Sequence, residues 1–181
     1  MKKLLILIAF IGFTHSQLKI QPRTRLLSTY YDVYSDEKRI SFVKRQHLQL
    51  NKIYSVCDHR GEYARGVAKL FSIGTLVKSL REIVVYDEFD QRMGSIRGSF
   101  TVSKKGKFTF FNRQDAPIAL VYLDRDGASA TIVDSANESL PLFILRRAFT
   151  QENEDPFWEI KVFDQWAIEP SMLYIFAAFV R

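Results

Sequence analysis

Cysteine is almost absent from this chain: Cys57 stands alone among 181 residues. An intrachain disulfide is therefore excluded, and with it the disulfide-stapled small scaffold. Cys57 reads as a small buried apolar side chain, with an intermolecular bridge as the sharper alternative. Histidine is nearly as scarce, present only as His15, His47 and His59. A structural zinc site takes four ligands, commonly in closely spaced pairs. Cys57-Asp58-His59 is one such pair on a turn, without a second. A Cys57–His nucleophile pair lacks an orienting group and an oxyanion donor. No Gly-rich phosphate loop and no Gly-x-Ser-x-Gly elbow occurs. Asp124-Arg125-Asp126-Gly127 opens like a calcium loop, but Ser135 stands where the bidentate Glu belongs and Gly127 comes too early. These absences argue against an enzyme and imply no cofactor and no metal. Nor does any apolar run reach the about 20 residues of a membrane-spanning helix.

Aromatic residues are plentiful by contrast. The 15 Phe and 8 Tyr, with many Val and Ile, favour strands and a folded core over disorder. The formal charge is +6, from 26 basic and 20 acidic residues. A mild basic excess is compatible with an anionic surface but is first of all a soluble exterior. Specific nucleic-acid binding is not expected from it.

The N-terminus carries an address. Met1-Lys2-Lys3 is a short basic region, Leu4 to Phe13 is uncharged and apolar, and Thr14-His15-Ser16 suits a cut before Gln17. Residues 1–16 thus read as a secretory signal peptide, with an uncleaved anchor as the alternative, because the site is not of the Ala-x-Ala type. The protein is expected to be secreted or extracytoplasmic. Loss of Lys2 and Lys3 would leave 24 basic against 20 acidic residues, a charge of +4. Residues 17–38 hold no clear periodicity, with Pro22, Arg23 and Arg25 interrupting, and are expected to form a linker or an arm. The folded domain is expected over 39–181.

Within it, short apolar stretches alternate with turn chemistry every eight to twelve residues, the spacing of an antiparallel sandwich or barrel. Strands are predicted over Ile53–Cys57, Glu82–Tyr86, Met93–Val102, Phe108–Phe110, Pro117–Leu123, Ala128–Val133, Leu142–Phe149 and Phe157–Phe163. Gly94 and Gly98 are expected at bulges or bends. Asp58-His59-Arg60-Gly61 and Asp124-Arg125-Asp126-Gly127 are turns, each pairing an Asp that bonds its own backbone with a Gly able to take positive φ. The two form a weak internal repeat, of which Val84-Val85-Tyr86-Asp87 is a partial copy.

The last stretch differs from all of this. From Met172 to Val180 there is neither a charge nor a polar face. Pro170 suits a first helical position, and a helix over residues 170–181 would be roughly 18 Å long at about 1.5 Å per residue. Apolar on all sides and too short to span a bilayer, it must be buried in a core, with Met172, Leu173, Ile175, Phe176, Ala178 and Phe179 as structural core residues.

The order of features resembles a known family. Ile53-Tyr54-Ser55-Val56-Cys57-Asp58-His59-Arg60-Gly61, Ile83-Val84-Val85-Tyr86-Asp87, Trp158-Glu159-Ile160-Lys161-Val162 and the helix opened by Glu169-Pro170 together resemble the LURP-one-related proteins of the tubby C-terminal-like superfamily, which also includes phospholipid scramblases. The match covers about residues 39–181 and rests on pattern and order. It implies a closed antiparallel barrel of about twelve strands around a central hydrophobic C-terminal helix. It departs from the family in its export signal and in Glu169, a poorer N-cap than the Asp common there.

The basic clusters are Lys44-Arg45, Lys104-Lys105-Gly106-Lys107 and Arg146-Arg147. Lys104, Lys105, Lys107, Arg146 and Arg147 are the candidate ligand-binding residues, able to contact anionic headgroups at up to about 1 kcal/mol per charge. A solvated hairpin tip is the plainer reading of the same lysines. The expected function is a non-enzymatic binding module that contacts anionic phospholipid or a protein partner. The alternatives are a scramblase-like activity and an exported enzyme with a site not apparent in the sequence.

Overall fold

The computed structural model describes residues 17–25, 27–46, 52–70, 81–100, 106–124, 126–149 and 155–180. The expected signal peptide, Lys104, Lys105 and His47 lie outside the described residues. Twelve strands run in order: β1 (Gln17–Arg25), β2 (Ser28–Ser35), β3 (Lys38–Gln46), β4 (Lys52–Asp58), β5 (Gly61–Leu70), β6 (Arg81–Asp87), β7 (Arg92–Phe100), β8 (Gly106–Phe111), β9 (Pro117–Leu123), β10 (Ser129–Asp134), β11 (Pro141–Ala148) and β12 (Phe157–Val162). One helix follows, α1 (Pro170–Phe179). Every strand pairs antiparallel with its neighbours in the chain, and β1 pairs with β12, so the sheet closes on itself and leaves no edge.

Residues 17–38 correct the sequence reading. They are no linker: β1 and β2 pair along their whole length, from Leu18↔Ser35 to Arg25↔Ser28. The alternation is present, with Ile20 and Pro22 buried on β1 and Thr29, Tyr31 and Val33 on β2. Pro22 obscured it, although a proline is tolerated where a strand has a partner on one side only. Pairing of β1 with β12 ends at Ile20↔Trp158, two residues short of Pro22. Among the described residues the barrel begins at Gln17.

Five of the hairpins share one irregularity. Between β2 and β3 the register steps from Val33↔Ser41 to Tyr34↔Arg39, leaving Ile40 as an extra residue. The same step leaves Tyr63 extra on β5, Met93 on β7, Ile118 on β9 and Leu142 on β11. Each extra residue is apolar or aromatic, and each sits just after the turn that opens its strand. All five therefore lie at one end of the barrel, the end where β12 leaves and α1 begins. A bulge bends its strand and increases its twist, which is what closing a sheet into a narrow barrel requires. Gly94 flanks one of these bulges as expected. Gly98 does not: it is regularly paired with Phe108, and a Cβ there would come within 2.3 Å of the Lys107 carbonyl oxygen.

The turns repeat as well. The Asp87 and Asn112 side chains each accept N–H bonds from residues two and four positions on, with Asp90 and Asp115 in the left-handed region at φ 59° and 60°. Asp124 accepts from Ala128, with Gly127 at φ 62°. At Asp58 only the bond from Arg60 is kept. The predicted Asp-x-x-Gly repeat is thus a shared turn chemistry.

The helix starts as predicted. Pro170 occupies its first turn and the Glu169 side chain makes no capping bond; the Glu169 carbonyl accepts from Met172 at 2.9 Å. It ends at Phe179, two residues before the expected end. Met172, Leu173, Ile175, Phe176 and Ala178 are all buried, and Phe179 is partly so. Their contacts come from many strands. Phe176 lies edge-on to Phe108 and Phe110 of β8, each at 5.5 Å, and Phe179 lies near Tyr54 of β4. A Cβ on Gly66 of β5 would sit 2.9 Å from Ile175, and one on Gly94 of β7 would sit 3.0 Å from Met172, so both glycines make room for the helix. Trp158 of β12 donates its indole N–H to the Ala177 carbonyl at 3.1 Å. Among the described residues no helix is long and apolar enough to cross a membrane.

Candidate functional site

Of the predicted basic patch, the three described residues do not come together. Lys107 points outward from β8, with its ammonium 5.2 Å over the Tyr122 ring. Arg146 is exposed on β11, in register with Glu159. Register carries Lys107 through Tyr122 and Thr131 to Ile144, so Arg146 is three strands away, roughly 14 Å at about 4.8 Å per strand. Arg147 alternates to the opposite face. Its guanidinium lies 5.0 Å over Trp158 and donates to the Val180 carbonyl at 3.3 Å, against the helix C-terminus, where a cation is favourable.

Lys44 and Arg45 also part company, since neighbours on a strand face opposite ways. Lys44 joins the densest group of cations and rings among the described residues, on the outer face of β1–β4. Alternation on β1 turns Lys19, Arg23 and Arg25 outward, opposite the buried Ile20 and Pro22. On β2 it turns out Tyr30 and Asp32, and on β3 Phe42 and Lys44. Register then aligns them: Arg23, Tyr30 and Lys44 form one row across three strands, and Gln21, Asp32, Phe42 and Cys57 form the next.

The side chains interlock. Arg23 and Arg25 lie 5.4 and 5.6 Å over the Tyr30 ring, Arg39 lies 4.9 Å over Phe42, and the two rings are 5.9 Å apart. Asp32 is the group's one carboxylate, held at 3.1 Å by Arg23 and 3.0 Å by Arg39, which cover it until its side chain is only 9% exposed. Lys19, Arg25 and Lys44 have no ion pair among the described residues. Lys19 stands apart, in register with Glu159 and sharing a pocket with Asp36 and Glu37. Four cations, Arg23, Arg25, Arg39 and Lys44, therefore face Asp32, with aromatic rings between them that fix the long arginine side chains.

Other arginines are neutralised. Arg92 and Arg97 of β7 share Asp115, at 2.9 and 2.7 Å, and Arg97 also meets Glu82 at 2.7 Å. The hydrogen bond from Arg92 is the main cause that brings the Asp115 carboxyl down to about 2. Arg65 pairs with Asp90. These groups tie neighbouring hairpins together and leave little free charge.

Cys57 is half-buried at the edge of the cationic face. Burial, and then Glu62, push its thiol above the ordinary range, which disfavours the reactive thiolate. His59 lies in the exposed β4–β5 turn.

The cationic face was missed in the sequence because none of its contacts is local. Arg23 and Arg25 were visible, and so was Lys44, but only the register of β1, β2 and β3 aligns them with Tyr30. The signal that could have found them is the alternation of cation and apolar residue from Lys19 to Arg25. Comparisons with protein-family models, curated proteins and solved structures return no match to this chain.

Proposed function

We propose that this chain is a non-enzymatic barrel module, of the LURP-one-related type, that docks on an anionic phospholipid surface through the outer face of β1–β4. One observation carries the reading: Arg23, Arg25, Arg39 and Lys44 face outward together against the single carboxylate of Asp32. Near a negative bilayer each net charge is worth about 1 kcal/mol, so three net charges favour an acidic over a neutral membrane by about 3 kcal/mol, roughly a hundredfold. The rings of Tyr30 and Phe42 hold the guanidinium groups spread across the face, so little side-chain freedom is lost on contact.

The helix has a structural role in this proposal. It fills the barrel lumen, with Met172 toward one end and Phe179 toward the other. The barrel is then a rigid support for its outer face and not a container for a carried ligand. The closed twelve-stranded sheet and the apolar terminal helix support the family assignment. Export, with removal of residues 1–16, completes the proposal and directs the module to an extracytoplasmic leaflet.

Co-sedimentation with vesicles at physiological salt tests it. The protein is expected to pellet with vesicles containing anionic lipid and to stay in solution with neutral ones. Arg23→Glu/Arg25→Glu/Lys44→Glu should remove the difference, and Lys107→Glu should not. Equal binding to both vesicle types would sink the lipid reading.

A further inference from the structure

The opposite feature lies at the bulged end of the barrel, where the helix enters. A cleft of about 290 Å³ opens there between the β2–β3, β4–β5 and β6–β7 turns and the first turns of α1. Ser41, Asp58, Glu62, Tyr63, Glu88 and Tyr174 supply its polar lining. Asp58 is occupied by Arg60, which also lines the cleft, at 3.1 Å. Glu62 and Glu88 have no such partner among the described residues, so the cleft keeps two uncompensated carboxylates.

Two of its hydroxyl protons are already spent. The Ser41 hydroxyl donates its one proton to the Cys57 carbonyl, at 2.8 Å. The contact between Ser41 Oγ and Tyr63 Oη, at 3.2 Å, must then use the tyrosine proton. Tyr63 is left with lone pairs only. Tyr174 projects from the helix with just 5% of its surface exposed, lining this cleft and the smaller apolar one beside Leu173, and its hydroxyl has no hydrogen-bond partner among the described residues. An unpartnered phenol oxygen that opens into a cleft keeps its lone pairs for a ligand. Burial and the neighbouring Tyr63 push Tyr174 up to about 12, so both phenols stay neutral in ordinary buffers.

We infer that this cleft binds an alkylammonium group. Three N–H donors on one compact charge match what converges here: the Tyr63 oxygen, the unpartnered Tyr174 oxygen and the Glu62 and Glu88 carboxylates. The aromatic faces and Ile40 suit the carbon stem, and a cation over a tyrosine ring is favourable in its own right. An anion is disfavoured there, because the two free charges of the cleft are both negative. The ammonium could come from a free polyamine or from a lysine side chain of a protein. Phe89 and Trp166, 73% and 86% exposed at this end of the barrel, offer the added apolar contact that only the second source would use.

Nuclear magnetic resonance titration of the full chain with n-butylammonium chloride tests the site, with sodium chloride and n-butanol as controls. Saturable shifts are expected at Ser41, Glu62, Tyr63, Glu88 and Tyr174, absent from both controls. Tyr174→Phe removes one hydroxyl and should weaken binding about tenfold, the effect of one hydrogen bond to a charged group. Glu62→Gln/Glu88→Gln should weaken it at least as much while keeping the wild-type melting temperature, and it stands as the test should Tyr174→Phe misfold. Spermidine and an acetylated tetralysine amide then separate the sources. Tighter binding of the peptide with shifts at Phe89 and Trp166 assigns a protein lysine, and tighter binding of spermidine assigns a free polyamine. Shifts that n-butylammonium and sodium chloride produce equally, or that survive Glu62→Gln/Glu88→Gln unchanged, overturn the inference.

Discussion

Phe176→Ala measures how much of the fold rests on the terminal helix. Phe176 has no exposed surface and meets Phe108 and Phe110 edge-on at 5.5 Å. Truncating a buried phenylalanine costs about 3–5 kcal/mol, more where the surroundings cannot collapse into the space. Here they cannot collapse easily, because both partner rings stand on β8, which is hydrogen-bonded on each side to β7 and β9. Each edge-to-face pair adds about 0.5–1.5 kcal/mol beyond its buried area, so the expected loss is at the upper end, about 4–5 kcal/mol. That is a quarter or more of the roughly 5–15 kcal/mol that hold a domain together. At about 2–4 °C per kcal/mol for a chain of this size, the melting temperature should fall by about 8–20 °C. Thermal unfolding followed by far-ultraviolet circular dichroism reads it, with Trp166→Ala as the exposed control, expected within about 0.5 kcal/mol of wild type. A Phe176→Ala protein that melts within about 3 °C of that control would refute the reasoning, because the helix would then contribute no core.

Ala178→Asp sets an unpaired carboxylate where Ala178 is fully buried, and should abolish cooperative folding, as should deletion of Met172 to Arg181; a truncated chain that still melts cooperatively near the full-length temperature contradicts this. Asp115 supplies a pH dependence of defined sign. Its carboxyl is lowered to about 2 in the folded chain, so its contribution is present above the ordinary carboxylate range and is lost as pH falls toward about 2. Wild type should therefore exceed Asp115→Asn in urea midpoint at about pH 5 and converge on it near pH 2, and a constant gap between them would exclude the ion pairs with Arg92 and Arg97 as the cause.

The sheet from β4 onward was legible because its alternation is local. Pro117–Leu123 matches β9 end to end, and the turns at Asn112 and Asp124 announce themselves by side chains that bond their own backbone. The terminal helix was legible because Pro170 opens a stretch with no polar face. What escaped depends on pairing between strands. A bulge adds one residue and reverses the apparent facing of everything after it, so Ile40, Tyr63, Met93, Ile118 and Leu142 read as lapses in a pattern that they in fact organise. β1 and β2 were hidden by Pro22 and by arginines that belong to the outer face. Arg147 was grouped with Arg146 because they adjoin in sequence, although one meets the helix C-terminus and the other solvent. The cationic face itself exists only in register, as a row running from Arg23 through Tyr30 to Lys44.

Amide hydrogen exchange in the presence of anionic vesicles tests the central claim most directly, because it reads where the bilayer sits on the barrel. Slowed exchange is predicted along β1–β3, at Arg23, Arg25, Tyr30, Phe42 and Lys44, with no change against neutral vesicles. Protection on β8–β11 around Lys107 and Arg146, or none anywhere on the barrel, would contradict the assignment of β1–β4 as the membrane-facing surface.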